Sequence, residues 1–241
     1  MYFTDSHIHL QDYKSNNATQ IIALMQSMGF AKAVCVSSNI KDWTRVKSFA
    51  LSFPEFVVPA FGVHPWNIED IPQNWAQELE EFLISCKGAW VGECGLDNLK
   101  QKNKEKQFQV FQTHVELAKK HKRPMNIHLL KAEADFARLL PQMPQNFVLH
   151  SYSGSIPFIK KIISAGGYIS LSPASLKSKN FAALILNTDI KRLLFESDAP
   201  YQSDFEQIKD LAQAFAAIKN ASAPDVIYQI YNNLKELNHD R

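Results

Sequence analysis

Thr4-Asp5-Ser6-His7-Ile8-His9-Leu10 opens the chain, and its alternation decides how the rest is read. Tyr2 to Ile8 has the pattern of a short strand. Alternate strand residues point to one side, so His7 and His9 project together. Two imidazoles on one side of a short strand are awkward to bury unless something polar engages both, and a metal ion does. Taken alone, the pair also fits half-buried or surface histidines, so the remaining sequence has to decide.

Working outward, short apolar runs recur: Ala33 to Val36, Val57 to Val63, Ala89 to Val91, Met125 to Leu129, Phe147 to Leu149, Tyr168 to Leu171 and Leu193 to Phe195. Between them lie stretches of helical periodicity. Ile21, Ile22, Leu24, Met25 and Met28 share one helix face, with Gly29 as the C-terminal stop. Leu79 with Phe82 and Leu83, Phe108 with Phe111 and Val115, Ile156 with Ile159 and Ile162, and Ile208 with Leu211 and Phe215 mark further helices. Buried strand alternating with helix predicts a parallel sheet. About eight such units in a chain of 241 residues predict an α/β fold, a closed (β/α)₈ TIM barrel with parallel strands. A doubly wound open sheet competes, but no glycine-rich phosphate loop follows the first strand. No linker divides the chain, so residues 1–241 are read as one barrel domain.

The strand ends carry the chemistry. The third strand runs into Gly62-Val63-His64-Pro65 and the fourth into Gly92-Glu93-Cys94-Gly95-Leu96-Asp97. The fifth ends in Asn126-Ile127-His128, the sixth in Leu149-His150-Ser151-Tyr152, and the eighth in Glu196-Ser197-Asp198-Ala199-Pro200. Singly, each has a bland reading: His128 and His150 as hydrogen-bonded core histidines, Asp198 as a helix N-cap. Jointly, six strands deliver a His, Asp or Glu to the one barrel face where such enzymes keep their sites. A carboxylate such as Glu93, in an apolar run between glycines, needs a cation or donors to offset its desolvation. The nitrogen and oxygen donors, without thiolate, suit Zn²⁺, Mg²⁺, Mn²⁺ or Ni²⁺. Six ligands exceed what one catalytic zinc uses, and two divalent ions roughly 3.5–4 Å apart explain the number better. His114 and His121, on the helix before the fifth strand, and His239 read as packing or surface residues.

A net charge of +2, from 26 basic and 24 acidic residues, gives no global field that would hold nucleic acid, so such a substrate must be gripped locally. Cys35, Cys86 and Cys94 are odd in number and irregularly spaced, which predicts reduced thiols. The N-terminus has no signal-peptide pattern and no apolar run reaches membrane-spanning length, so the expectation is a soluble cytoplasmic protein without membrane partners.

At this point the segments are recognisable. Thr4 to Leu10, Gly62 to Pro65, Gly92 to Asp97, Ile127-His128, His150 to Gly154 and Glu196 to Tyr201 occur in order. Together they resemble the TatD family of metal-dependent deoxyribonucleases, within the amidohydrolase-like metal barrels. The resemblance implies up to two divalent metals: His7, His9 and Asp198 on one, His128 and His150 on the second, Glu93 bridging, and His64 close by to meet substrate phosphate. It also implies that Asn233 matches an asparagine of the family's last helix. Three loops depart from the pattern. Asn98-Leu99-Lys100 stands where aromatic residues are usual, Leu129-Leu130 replaces a usual Ser-Arg, and Gln202-Ser203-Asp204 replaces an Arg-Asn-x-Pro stretch.

The expected chemistry is hydrolysis of phosphodiester bonds by metal-activated water, with Asp198 orienting the water and taking its proton, and Glu93 completing the centre. Lys100, Lys102, Lys104 and Lys106 after the fourth strand, and Lys177 and Lys179 after the seventh, are candidates to line a groove for DNA ends. Trp66, Tyr152 and Tyr201 are candidates to stack bases. A solvated lysine loop and rim packing remain open as alternatives. Lys119, Lys120, Lys122 and Arg123 fall on the opposite face. A metallohydrolase of the same fold acting on a small phosphoester or amide, and a non-catalytic metal-binding barrel, are the rival functions.

Overall fold

The computed structural model describes residues 2–13, 18–100 and 103–238. Eight strands run in chain order around one sheet: β1 (Phe3–Ile8), β2 (Phe30–Val36), β3 (Val57–Phe61), β4 (Trp90–Asp97), β5 (Met125–Leu130), β6 (Phe147–Leu149), β7 (Tyr168–Leu171) and β8 (Leu193–Phe195). Neighbours pair in parallel from β1 through β8. The ring closes just beyond β8: Asp198 N–H donates to the His7 carbonyl and His9 N–H to the Ala199 carbonyl, both at 2.9 Å.

Helices alternate with the strands on the outside: α1 (Ala18–Ser27), α2 (Trp43–Ser52), α3 (Trp75–Ser85), α4 (Lys104–His121), α5 (Glu133–Leu139), α6 (Ile156–Ser164), α7 (Phe181–Asn187), α8 (Ile208–Lys219) and α9 (Ala223–Leu237). Each lays an apolar stripe on the barrel. On α6 the buried stripe is Phe158, Ile159 and Ile162, each contributing about 1.5–3 kcal/mol of burial. The sequence reading missed α2, α5 and α7, and reached the last helix, α9, only through the resemblance at Asn233. Two of these, α5 and α7, span only seven residues, too few for a 3.6-residue period to declare itself.

A second apolar cluster fills the barrel itself. Val34, Val58, Trp90, Val148, Tyr168 and Leu194 meet there with Leu234 and Leu237 of α9. Trp90 Nε1 donates to Asn238 Oδ1 at 2.7 Å, which fixes the end of α9 against this cluster. Asn233 does similar work: its Nδ2 donates to the carbonyls of Ile190 and Leu193, both at 2.7 Å.

Strand β4 runs to Asp97, the end its sequence motif implied, and its glycines explain how it stays paired that far. A Cβ on Gly95 would lie 2.0 Å from the His128 carbonyl oxygen, and one on Gly92 would lie 2.4 Å from that of Asn126. Only glycine lets β4 and β5 approach this closely, at φ +151° and +148°. That approach sets Glu93 beside His128. Strand β3, by contrast, stops at Phe61, two residues before the expected Val63, and leaves His64 on the following turn.

Candidate metal centre

Glu93, 3% exposed, is the middle of the site. Its two carboxylate oxygens face different partners. Oε2 lies 3.5 Å from His7 Nε2 and 3.7 Å from His9 Nε2. Oε1 lies 3.0 Å from His150 Nε2, 3.3 Å from His128 Nδ1 and 3.4 Å from His64 Nε2. Asp198 joins the first side, its Oδ1 3.3 Å from His9 Nε2 and 3.6 Å from His7 Nε2. Within each side the ring nitrogens nearly touch: 3.1 Å from His7 to His9 and 3.2 Å from His128 to His150.

The outer hydrogen bonds decide which ring nitrogens face inward as lone pairs. His7 Nδ1 is 2.8 Å from Asn126 Oδ1, whose amide nitrogen donates to the Ser6 carbonyl, so the imidazole is the donor there. His128 Nε2 faces Asp97 Oδ2, and His150 Nδ1 faces Glu196 Oε1, both at 3.3 Å. Each ring gives its proton outward and turns its other nitrogen toward Glu93. Three lone pairs and two carboxylates then converge, more acceptors than the inward protons of His9 and His64 can satisfy, an arrangement that suits cations. The donor set therefore fits divalent metal. His64 is the opposite case. Its Nδ1 accepts from Trp66 N–H at 3.1 Å, so its inward Nε2 carries the proton.

Electrostatics agree with this division. Burial works to raise the Glu93 carboxyl, but the imidazoles of His64, His150 and His7 and the bond from His128 hold it well below the usual range. Burial works against charge on His150, His128 and His9, yet the carboxylates around them raise all three. Burial drives His64 down to about 3, which keeps it neutral. Among the described residues, three groups have ligand atoms within 4.8 Å of one another: His7, His9 and Asp198; His64, Glu93 and His128; and His7, His150 and Glu196.

A family model described as TatD related DNase matches residues 4–239. The chain belongs to the TatD-related DNase family. It is 28% identical over 195 residues to the 3′-5′ ssDNA/RNA exonuclease TatD of Edwardsiella piscicida, covering 78% of this chain and 75% of that one. It is 26% identical over 252 residues to a Haemophilus influenzae protein described as an uncharacterised metal-dependent hydrolase, covering 92% and 94%. The fold matches a TatD homologue from Escherichia coli with a TM-score of 0.89 at 22% identity, over 98% and 97% of the two chains. A TatD family hydrolase from Entamoeba histolytica matches at 0.86 and 20% identity, over 98% of both.

The expected residues of this TatD-family barrel are thus in one place: His7, His9, His64, Glu93, His128, His150 and Asp198 all converge. Asp198 is not a helix N-cap. It adopts a left-handed backbone (φ 54°), a conformation Asp tolerates better than most side chains, and turns its carboxylate to His9. Trp66 and Tyr201 stand exposed at the mouth. Lys100 Nζ lies 3.7 Å over the Trp66 ring, a cation–π contact.

Other expectations are redirected. The Tyr152 ring is buried and its hydroxyl donates to the Ser155 carbonyl at 2.7 Å, so it is a wall of the site and has no open face for a base. Lys106 is taken by Glu69, 2.6 Å from that residue's carbonyl, and Lys102 lies outside the described residues. His114 is fully buried, its Nδ1 donating to the Val110 carbonyl and its Nε2 accepting from Val63 N–H. His121 meets Glu80 at 2.6 Å, and His239 lies outside the described residues.

The sequence reading missed the outer partners Asn126, Glu196, Asp5 and Gln11, and did not single out Asp97. Asp5 accepts from His7 N–H, Ser197 N–H and the Ser197 hydroxyl, tying β1 to the loop that carries Asp198. Glu196 accepts from the Ser170 hydroxyl besides His150. Gln11 spans the His9 ring and the Val36 carbonyl. For Asp5, Gln11, Asn126 and Glu196 the signal available was a buried polar residue two positions from a ligand. No helix among the described residues is long and apolar enough to cross a membrane.

Proposed function

We propose that the protein is a metal-dependent nuclease that hydrolyses phosphodiester bonds at DNA ends. The observation that carries this reading is the division of Glu93 between two sets of nitrogen and oxygen donors. His7, His9 and Asp198 would hold one divalent ion, His128 and His150 a second, with Glu93 shared. Zn²⁺, Mg²⁺, Mn²⁺ and Ni²⁺ all suit donors of this type. Bound there, such ions supply Lewis-acid charge that acidifies water and offsets charge on phosphoryl oxygens.

The protein's own groups do the rest. Burial opposes ionisation of Asp198, but the bond from His9 and the nearby His7 and His150 hold its carboxyl below the usual range. It is therefore ionised, the state needed to orient the attacking water and accept its proton. His64 Nε2–H is a neutral donor aimed into the site, placed to bond a phosphoryl oxygen as negative charge grows on it. Lys100 on Trp66 gives the rim a local positive charge that the balanced composition does not supply globally. The name of the Edwardsiella relative, an ssDNA/RNA exonuclease, supports a nucleic-acid substrate. Three buried, unpaired thiols support a reducing, cytoplasmic setting.

The test is to incubate purified, metal-reconstituted protein with end-labelled single-stranded and duplex DNA, beside small phosphoesters and amides. Metal-dependent shortening from one end is expected. Turnover confined to small substrates would replace this reading with that of a small-molecule hydrolase.

A further inference from the structure

Beside the metal centre lies a cavity of about 330 Å³, sharing His128, His150 and Gln202 with the mouth that holds Trp66 and Tyr201. That is the lower end of small-molecule pockets, roughly 300–1,000 Å³. Its walls are serine hydroxyls and apolar side chains, with Leu129, Leu130 and Leu184 among the latter. Its only lining groups able to carry charge are His128 and His150, and both are already engaged by Glu93. Lys177 and Lys179 flank the lining Ser178 but are exposed and do not line the cavity. Glu93 and Glu196 stand behind the two histidines, and their charge is met by those rings and by the ions they would hold, so the walls of the cavity themselves are uncharged.

Gln202 sits at the boundary of cavity and mouth. Its Oε1 accepts from the Ser151 hydroxyl at 2.8 Å and the Ser172 hydroxyl at 3.2 Å. Two donors on the oxygen fix the amide and leave Nε2 as its available donor. The backbone N–H of Gln202 is tied to the Asp198 carbonyl at 3.0 Å, so the amide moves with the metal-side loop.

The geometry points to a specificity subsite for an uncharged, hydrogen-bonding group, the terminal nucleoside of the substrate, with Gln202 Nε2 as the donor that reads it. This rests on the nuclease reading above. Leucines offer faces to a base, hydroxyls and the amide meet its polar edge, and the scissile phosphate stays at the metal centre. A terminal phosphate on that nucleoside would enter a cavity walled by hydroxyls, an amide and leucines, with no cationic side chain lining it to offset its lost hydration, so a strand ending in hydroxyl is preferred over one ending in phosphate. The cationic Lys100–Trp66 rim opens off the mouth, where the polyanionic remainder of the strand is accommodated.

The test compares oligodeoxynucleotides ending in hydroxyl or phosphate at each terminus, and measures thymidine binding calorimetrically, for wild type, Gln202→Leu and Gln202→Arg. Gln202 is an exposed loop residue, so both variants should fold, and circular dichroism checks it. At the end that is degraded, hydroxyl termini should be favoured at least about tenfold in kcat/KM. Gln202→Leu should raise KM and weaken thymidine binding by about tenfold each, the loss of one hydrogen bond. Gln202→Arg should bring phosphate-ended strands to within about threefold of hydroxyl-ended ones, since it supplies the missing cation. Cleavage without end discrimination, or with Gln202→Leu like wild type, overturns the subsite and leaves the nuclease reading standing. No DNA cleavage, with thymidine still bound in a Gln202-dependent way, overturns the nuclease reading and leaves the subsite. Neither cleavage nor thymidine binding overturns both.

Discussion

Replacing Asn126 by leucine removes the group that aims His7. Asn126 is fully buried, and its amide makes two bonds of 2.8 Å, one accepting from His7 Nδ1–H and one donating to the Ser6 carbonyl. Leucine has the same branching and the same number of heavy atoms, with bulkier methyls, so no cavity opens; the loss is chiefly polar. Each orphaned buried group costs about 1–3 kcal/mol, so Asn126→Leu should destabilise the metal-free protein by about 4 kcal/mol. For a domain of this size that lowers Tm by roughly 10 °C. Freed of its partner, the His7 ring no longer holds Nε2 toward Glu93 and Asp198, and metal affinity should fall about 10–100-fold. Asn126→Asp separates the two effects. It keeps an acceptor for His7 but turns a carboxylate oxygen on the Ser6 carbonyl, so stability falls while metal affinity is retained. Urea unfolding of the metal-free protein and chelator competition for bound metal read the two quantities. Wild-type metal affinity in Asn126→Leu, or equal weakening in both variants, would refute the assignment of Asn126 as the residue that orients His7.

Asp198→Asn should fold and abolish most turnover, because the amide cannot take a proton; wild-type rates under saturating metal would sink that role. Glu93→Gln should lose metal from both donor sets together in an elemental analysis, since one carboxylate serves them both; retention of half the metal would argue against sharing. Metal binding should release protons and tighten as pH rises, because His150, His128 and His9 hold protons above the usual imidazole range until a cation displaces them. Calorimetry in buffers of different ionisation enthalpy measures this release, and binding heats independent of the buffer would contradict it. His114, pushed by burial from 6.5 down to about 4, stays neutral in the fold while the unfolded chain takes up the proton. Its contribution is therefore complete above pH 6.5 and lost as pH falls toward 4, about 2 kcal/mol of it between pH 7.5 and 5. His114→Leu should flatten the difference in urea stability between those two pH values by that amount, and an unchanged difference would exclude the linkage.

The order of elements was legible from the sequence because buried parallel strands and amphipathic helices have different periods, and each apolar run stands apart from the next helix. The metal-facing residues were legible for the same reason. His7, His9, Glu93, His128, His150 and Asp198 are costly to bury, and each falls at a strand end where a parallel barrel has only one open face. Backbone proximity was not legible. Only the fold shows that Gly92 and Gly95 press β4 against β5 and so extend the strand through Glu93. The roles of the individual ring nitrogens also waited for the tertiary structure. His64 and His128 look alike as letters, but one accepts at Nδ1 from Trp66 N–H and the other faces Asp97 with Nε2, so they turn opposite chemistry inward. Likewise Tyr152 and Tyr201 look equally available beside their motifs, and packing buries one and exposes the other. Periodicity and the cost of burying charge act along the chain and can be read there. Tautomers, shared carboxylates and subsite walls depend on partners 120 or more positions away, as Asn126 and Ser6 are, and only folding chooses them.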